Sequence, residues 1–146
     1  MVFKINISNK EGKTYKLELE SEELIGKELH DKIQGKEILP TLDGYELEIT
    51  GASDKAGFTA MENVPSIGLK RILLGVGKGM HKKSRGVKKK NKRTKKGLRL
   101  RKTVRGKVIS QEIVQINMKV LKEGSRKLSD IFPEQNTGKP KEEAKK

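Results

Sequence analysis

Residues 63–111 run for 49 positions without one Asp or Glu, yet they hold 18 of the chain's 34 Lys and Arg. All 19 acidic residues lie outside this stretch, so the net charge of +15 divides into +18 within it and −3 elsewhere. A segment charged in this way repels itself until a polyanion neutralises it. Nucleic-acid phosphate is the partner that suits it best, ahead of an anionic membrane surface or a merely solvated face.

The remainder has to supply the core, and it is lean. The chain has 146 residues, one domain's worth, with 32% hydrophobic residues and a mean hydropathy of −0.73. Without cysteine there is no disulfide, thiol nucleophile or thiolate metal site. The apolar runs are too short to span a bilayer, and Met1-Val2-Phe3-Lys4-Ile5 reads as a strand, not a signal peptide. The expectation is a soluble intracellular protein.

Period-two alternation marks the strands. Phe3, Ile5 and Ile7 alternate with polar residues. After the turn Asn9-Lys10-Glu11-Gly12, so do Tyr15, Leu17 and Leu19, which predicts a β-hairpin. Ile25, Leu29 and Ile33 are four apart, predicting a short helix over 21–33, although Gly26 weakens it by about 1 kcal/mol. Tyr45, Leu47 and Ile49 predict a strand closed by Gly51, and residues 69–74 another. Residues 78–96 offer almost nothing to bury and read as an extended basic loop, ordered only against a partner. Beyond it, Leu98, Leu100 and Val104 share one face of a strand, with Arg99, Arg101, Thr103 and Arg105 on the other. Val114, Ile116, Met118 and Val120 mark the clearest strand, residues 128–132 dock on the body, and 138–146 form a charged, disordered tail. The predicted fold is mainly β: a small β-barrel-like domain of five or six short strands with at most one short helix. Its domain covers 1–131, including the basic extension 78–96, and a tail covers 132–146.

Motifs for other chemistry fail on inspection. Gly75-Val76-Gly77-Lys78-Gly79 lacks a third Gly at Met80 for a dinucleotide fingerprint, and Gly79 stands where a Walker-type loop needs Ser or Thr. Gly12-Lys13-Thr14 ends correctly, but Ile7 occupies the position of the first Gly. His30 and His81 are the only histidines, and His81 lies beside Lys82 and Lys83 with no nearby acid to complete a metal pair. The thirteen acids of 1–62 read as solvated strand faces and turns, as at Glu46 and Glu48. No cofactor, metal or catalytic residue is expected.

The basic segment suits paired or folded RNA. Six of seven arginines lie in it: Arg71, Arg85, Arg93, Arg99, Arg101 and Arg105. Their planar forks match phosphate bidentately, whereas lysine acts as a point charge. No aromatic residue lies between 63 and 111, so this segment cannot stack bases as single-strand readers do. Lys70 and Arg71 precede the loop as candidate contacts, and Lys78 opens it. The loop carries Lys82, Lys83, Arg85, Lys88, Lys89, Lys90, Lys92, Arg93, Lys95 and Lys96. Arg99, Arg101, Lys102 and Arg105 follow on the strand, where same-face side chains stand roughly 6.8 Å apart and form a ladder along a phosphate backbone. The Gly-bounded stretch Gly51-Ala52-Ser53-Asp54-Lys55-Ala56-Gly57-Phe58 reads as a strand connection anchored by Phe58 in the core, or as an RNA-contacting loop through Lys55.

Three stretches carry a resemblance to small-subunit ribosomal protein number six of archaea and eukaryotes, the S-six-e type. The first, Gly51 to Phe58, is similar to that family's Gly-x-x-Asp-Lys-x-Gly-Phe loop. The second is Lys70-Arg71-Ile72-Leu73-Leu74. The third, Gly97-Leu98-Arg99-Leu100-Arg101-Lys102-Thr103-Val104-Arg105-Gly106, resembles Gly-x-Arg-x-Arg-Lys-x-Val-Arg-Gly. The likeness covers residues 1–131. It departs from the family in a longer, Lys-rich loop at 82–96 and in Thr59-Ala60-Met61, which replaces a Pro-Met. The chain also ends without the long serine-rich helical tail of eukaryotic members, so the shorter archaeal form is the closer likeness.

The resemblance implies a cytoplasmic, non-catalytic constituent of the small ribosomal subunit. It would bind ribosomal RNA, with neighbouring ribosomal proteins as further partners and no membrane, small-molecule or homo-oligomeric partner. An RNA-processing enzyme or a non-ribosomal nucleic-acid-binding factor using the same surface is the alternative reading.

Overall fold

The computed structural model describes residues 2–80, 97–133 and 135. Of the extended loop read over 78–96, residues 81–96 lie outside them, as does the tail from 138; Lys78 and Gly79 form a turn and Met80 is buried.

Strands β1 (Val2–Ser8) and β2 (Thr14–Glu20) form the expected hairpin, with Ile5 opposite Leu17 and Phe3 opposite Leu19. Its turn closes through the Gly12 N–H to Asn9 O at 3.1 Å. Phe3, Ile5 and Ile7 are fully buried because the pleat sends all three to one face. The other edge of β1 runs parallel to β7 (Ile113–Lys122), pairing Ile5 with Ile116 and Ile7 with Met118. Antiparallel β4 (Glu46–Asp54) and the short β3 (Lys32–Gln34) complete a five-stranded sheet of order β2-β1-β7-β4-β3. Its apolar face is covered by Leu24, Leu29, Ile38, Leu42, Ile109 and Leu128. The opposite face carries charged residues such as Glu48 and Lys119, the usual division of a sheet wetted on one side.

A second unit stands apart from this sheet. β5 (Leu69–Leu74) and β6 (Leu100–Arg105) form a two-stranded antiparallel ribbon. Met61, Val64, Leu74, Met80 and Val104 make a small core of their own beneath it.

The mainly β class holds, and the details differ from expectation in four places. Among the described residues, seven strands lie in two sheets that do not close into a barrel; the ribbon meets the rest through the bridge of Ala60 with Arg105 and the ion pair of Arg105 with Asp54. Among the described residues two one-turn α-helices are present, α1 (Gly35–Ile38) and α2 (Leu128–Ile131), where at most one was expected.

Residues 21–33 form turns ending in β3, not a helix. Gly26 and His30 both sit at positive φ, +87° and 73°, which interrupts any right-handed helix. The backbone there bonds outward instead: Gly26 N–H to Ile109 O at 2.9 Å, Leu29 N–H to Lys107 O at 3.0 Å and His30 N–H to Ile49 O at 2.8 Å.

Gly51 does not close β4. The register shifts between Ile49 and Gly51, a bulge that lets the strand continue to Asp54. Buried positions change from Tyr45, Leu47 and Ile49 to Ala52 and Asp54, so the bulge turns an acid inward.

The C-terminal segment docks as expected. Leu128 is buried, and Phe132 stacks on Tyr15 with ring centroids 5.8 Å apart. The Gln135 side chain bridges both backbone groups of Lys16, at 2.6 and 2.8 Å.

Candidate nucleic-acid interface

Cross-strand partners share a face, so the ribbon's two faces follow from its register. Ile72, Leu74 and Val104 point to the small core. Arg71 opposite Thr103 and Leu73 opposite Arg101 form the outer face, where both arginines and Leu73 are exposed. Lys70, Arg99 and Lys78 are exposed around it, and Lys102 is half-buried. Lys55 stands exposed on the turn after β4.

What distinguishes these cations is the company they keep. On the larger sheet Lys4, Lys32 and Lys119 each meet a glutamate, whereas Lys16 and Lys122 form no ion pair among the described residues. Among the described residues, Lys55, Lys70, Arg71, Arg99, Arg101 and Lys102 form no ion pair. Lys78 is held by a carbonyl, donating from Nζ to Thr50 O at 3.4 Å. The charge separation of the sequence therefore persists in space: the larger sheet carries charges of both signs, and the strands of the ribbon carry cations alone.

Arg105 leaves the expected ladder. Although it alternates with Arg99 and Arg101, it is only 6% exposed. Its Nε donates to Asp54 Oδ2 at 3.0 Å and its Nη1 to Glu112 Oε2. Burial lowers the guanidinium pKa, but the hydrogen bonds to Asp54 and Glu112 together outweigh it, so the proton is held more tightly than usual. The same end of β6 carries another constraint: a Cβ on Gly106 would lie 1.6 Å from Ser66 O, which leaves room for no side chain. Leu100, expected on the buried face, is 41% exposed, although its cross-strand partner Leu74 is buried in the small core.

Phe58 is not the core anchor expected of it. It is half-buried and packs in neither hydrophobic cluster. It lines a cleft of about 660 Å³ with Gly77, Gly79, Arg101, Lys102 and Thr103. The fold thus brings an aromatic ring beside a basic segment that has none of its own. Only the three-dimensional return of residues 58–61 along β6, through Arg105 N–H to Thr59 O at 3.0 Å, makes this visible.

His30 forms a separate polar site. Its Nδ1 lies 3.0 Å from Glu48 and its Nε2 2.8 Å from Glu62. Glu48 also accepts from Lys119 at 2.9 Å. The hydrogen bonds to Glu48 and then Glu62 raise the imidazole pKa above its ordinary 6.5. His81 and the ten loop cations from Lys82 to Lys96 lie outside the described residues.

The profile of the family described as Ribosomal protein S6e matches residues 3–133. The chain belongs to that family. Among curated relatives, small ribosomal subunit protein eS6 of Methanococcus maripaludis is 42% identical over 129 residues, covering 88% of this chain and 94% of the relative. The proteins of the same name from Methanobrevibacter smithii and Archaeoglobus fulgidus are each 40% identical. These alignments cover 90% of this chain and 93% and 96% of the two relatives.

Within this S6e chain, the stretch 97–106 divides by role. Arg99, Arg101 and Lys102 form no ion pair among the described residues, whereas Val104, Arg105 and Gly106 join the ribbon to the body. The Asp54 of the Gly51–Phe58 loop is the other half of that joint.

Proposed function

We propose that this S6e protein is a structural constituent of the small ribosomal subunit, in the cytoplasm, and binds folded ribosomal RNA by neutralising phosphate. The ribosomal role rests on the family and on the names of its relatives, and it is a structural role, not an enzymatic one. The observation carrying the mechanism is the set of exposed cations on and around the ribbon, Lys70, Arg71, Arg99 and Arg101, that meet no carboxylate among the described residues. Lys55, Lys78, Lys102 and the loop cations extend the same surface in sequence.

Each phosphate met by such a cation releases condensed counterions, so affinity is high at low salt and falls steeply as salt rises. Arginine forks on a two-stranded ribbon grip phosphate oxygens with defined geometry, while the larger sheet supplies the rigid body that holds them. RNA helices that would repel one another then pack against a common positive surface.

Co-sedimentation with small ribosomal subunits through a high-salt wash tests the assignment. An integral component stays with the particle; release with the wash fractions would point to a transient factor.

A further inference from the structure

The chain has five aromatic rings, three Phe and two Tyr. Phe3, Tyr15 and Tyr45 are buried in the main core, and Phe132 packs against it on Tyr15. Phe58 alone belongs to no core. An aromatic side chain left half-open on a charged protein loses burial that it would gain a few residues away, so its surroundings matter.

Those surroundings are built. Asp54 holds both backbone groups of Phe58: Oδ1 accepts its N–H at 2.8 Å, and the Asp54 N–H donates to its carbonyl at 3.2 Å. The other oxygen of the same carboxylate pins Arg105, so the backbone that carries the ring is fixed relative to β6. Arg105 N–H to Thr59 O and Met61 N–H to Arg105 O, both at 3.0 Å, show which backbone groups of β6 point away from β5. By strand alternation the N–H and C=O of Thr103 and Arg101 point to that same edge. Among the described residues no other backbone group meets them. Arg101 and Lys102 supply charge at the cleft, Gly77 and Gly79 line it without side chains, and among the described residues no acid lines it.

A flat apolar face, a polar strand edge and two cations around one space match the three parts of a nucleotide. We infer that the cleft takes a single unpaired nucleotide of the bound RNA. Its base stacks on Phe58, its hydrogen-bonding edge meets the open edge of β6 and its phosphate meets Arg101 or Lys102. The cleft volume of about 660 Å³ falls within the roughly 300–1,000 Å³ of small-ligand sites. This inference rests on the RNA-binding reading and adds a local preference to it: the basic surface grips paired RNA, and the cleft selects where an unpaired residue must lie.

The test binds the full chain at fixed ionic strength to two RNA hairpins. One has a fully paired stem; the other has the same stem with one unpaired nucleotide. The wild-type protein should favour the second by roughly tenfold, the order expected for one base on one ring. Phe58→Leu should abolish that preference while leaving affinity for the paired stem and the melting temperature unchanged, and Phe58→Trp should retain it. No preference in the wild type, or a preference that survives in Phe58→Leu, would overturn the cleft assignment and leave phosphate binding intact. Failure of the wild type to bind either hairpin at low salt would overturn the RNA-binding reading, and the cleft with it.

Discussion

Asp54 Oδ2 lies 3.0 Å from Arg105 Nε, with side chains only 4% and 8% exposed, and this ion pair joins the end of β4 to the end of β6. It exists because the bulge at Gly51 changes the parity of β4 and turns Asp54 inward. Removing one partner strands the other charge inside the protein. Asp54→Ala or Arg105→Ala should therefore cost on the order of 3–5 kcal/mol in urea unfolding. Replacing both together by apolar residues should cost less than the two single changes added. Glu112 is 65% exposed on its side chain, so Glu112→Ala should cost under about 1 kcal/mol. Strict additivity in the double-mutant cycle would show that the pair is not coupled.

The two apolar positions of β6 should behave differently. Val104 is 1% exposed in the small core, whereas Leu100 is 41% exposed. Val104→Ala should cost roughly 1.5–3 kcal/mol, the value of losing buried apolar surface. Leu100→Ala should stay within about 0.5 kcal/mol, as surface changes do. Equal losses in thermal melts would mean that the ribbon packs more deeply at its tip than the exposure of Leu100 implies.

Gly106, the residue after β6, lies against the backbone of Ser66 in the segment before β5. A methyl group there meets the backbone of Ser66 at 1.6 Å to its oxygen, and backbone cannot swing aside as a side chain can. Gly106→Ala should destabilise by about 3 kcal/mol, the upper range of overpacking. RNA affinity measured well below the melting temperature should change little, because the residue carries no charge. An alanine protein as stable as the wild type would disprove the close approach.

Much of this fold is legible in the sequence because alternation reports burial directly. Phe3, Ile5 and Ile7 are hidden by the pleat, and the apolar run at 69–74 coincides with β5. What is not legible depends on residues distant in the chain. Nothing local says that β1 will pair parallel to β7, more than a hundred residues away. The apparent helix at 21–33 fails because its backbone donors find carbonyls at 107, 109 and 49. Arg105 shares its alternation with Arg99 and Arg101, and only the acid waiting at Asp54 separates it from them. The charged half of the candidate surface is visible in the sequence as an absence of carboxylates. Its aromatic member is not, since Phe58 lies outside the acid-free window and reaches it through space.

His30 gives the protein a modest pH dependence. Both ring nitrogens face carboxylates, Glu48 and Glu62, and both must carry protons to donate to them. The folded pKa is raised above 6.5, so the stabilisation is complete below that value and is lost as pH rises through the folded pKa. Lys119 also meets Glu48, at 2.9 Å. The imidazole is half exposed and screened by solvent, so the effect is small. Melting temperature should fall slightly between about pH 6 and pH 8. His30→Asn, which tolerates the left-handed backbone at this position, should remove that slope. An identical slope in the Asn protein would assign it to other groups.

The arginines of the ribbon should fail in a different way from Arg105. Arg71, Arg99 and Arg101 are exposed and form no ion pair among the described residues, so folding does not depend on them. Changing all three to Ala should leave the melting temperature almost unchanged. It should flatten the dependence of log affinity on log salt by about 0.7 to 0.9 for each phosphate that is no longer neutralised. Changing them to Lys keeps the charge and loses the bidentate fork, so affinity should weaken while most of the salt slope survives. Arg105→Lys makes the converse case: its side chain serves Asp54 inside the protein, so melting should suffer while the salt slope at low temperature holds. Measuring affinity for small-subunit ribosomal RNA across a salt series, beside thermal melts of the wild type and these three variants, separates the two roles. A triple-alanine protein with unchanged affinity and slope would show that the ribbon is not where RNA is held.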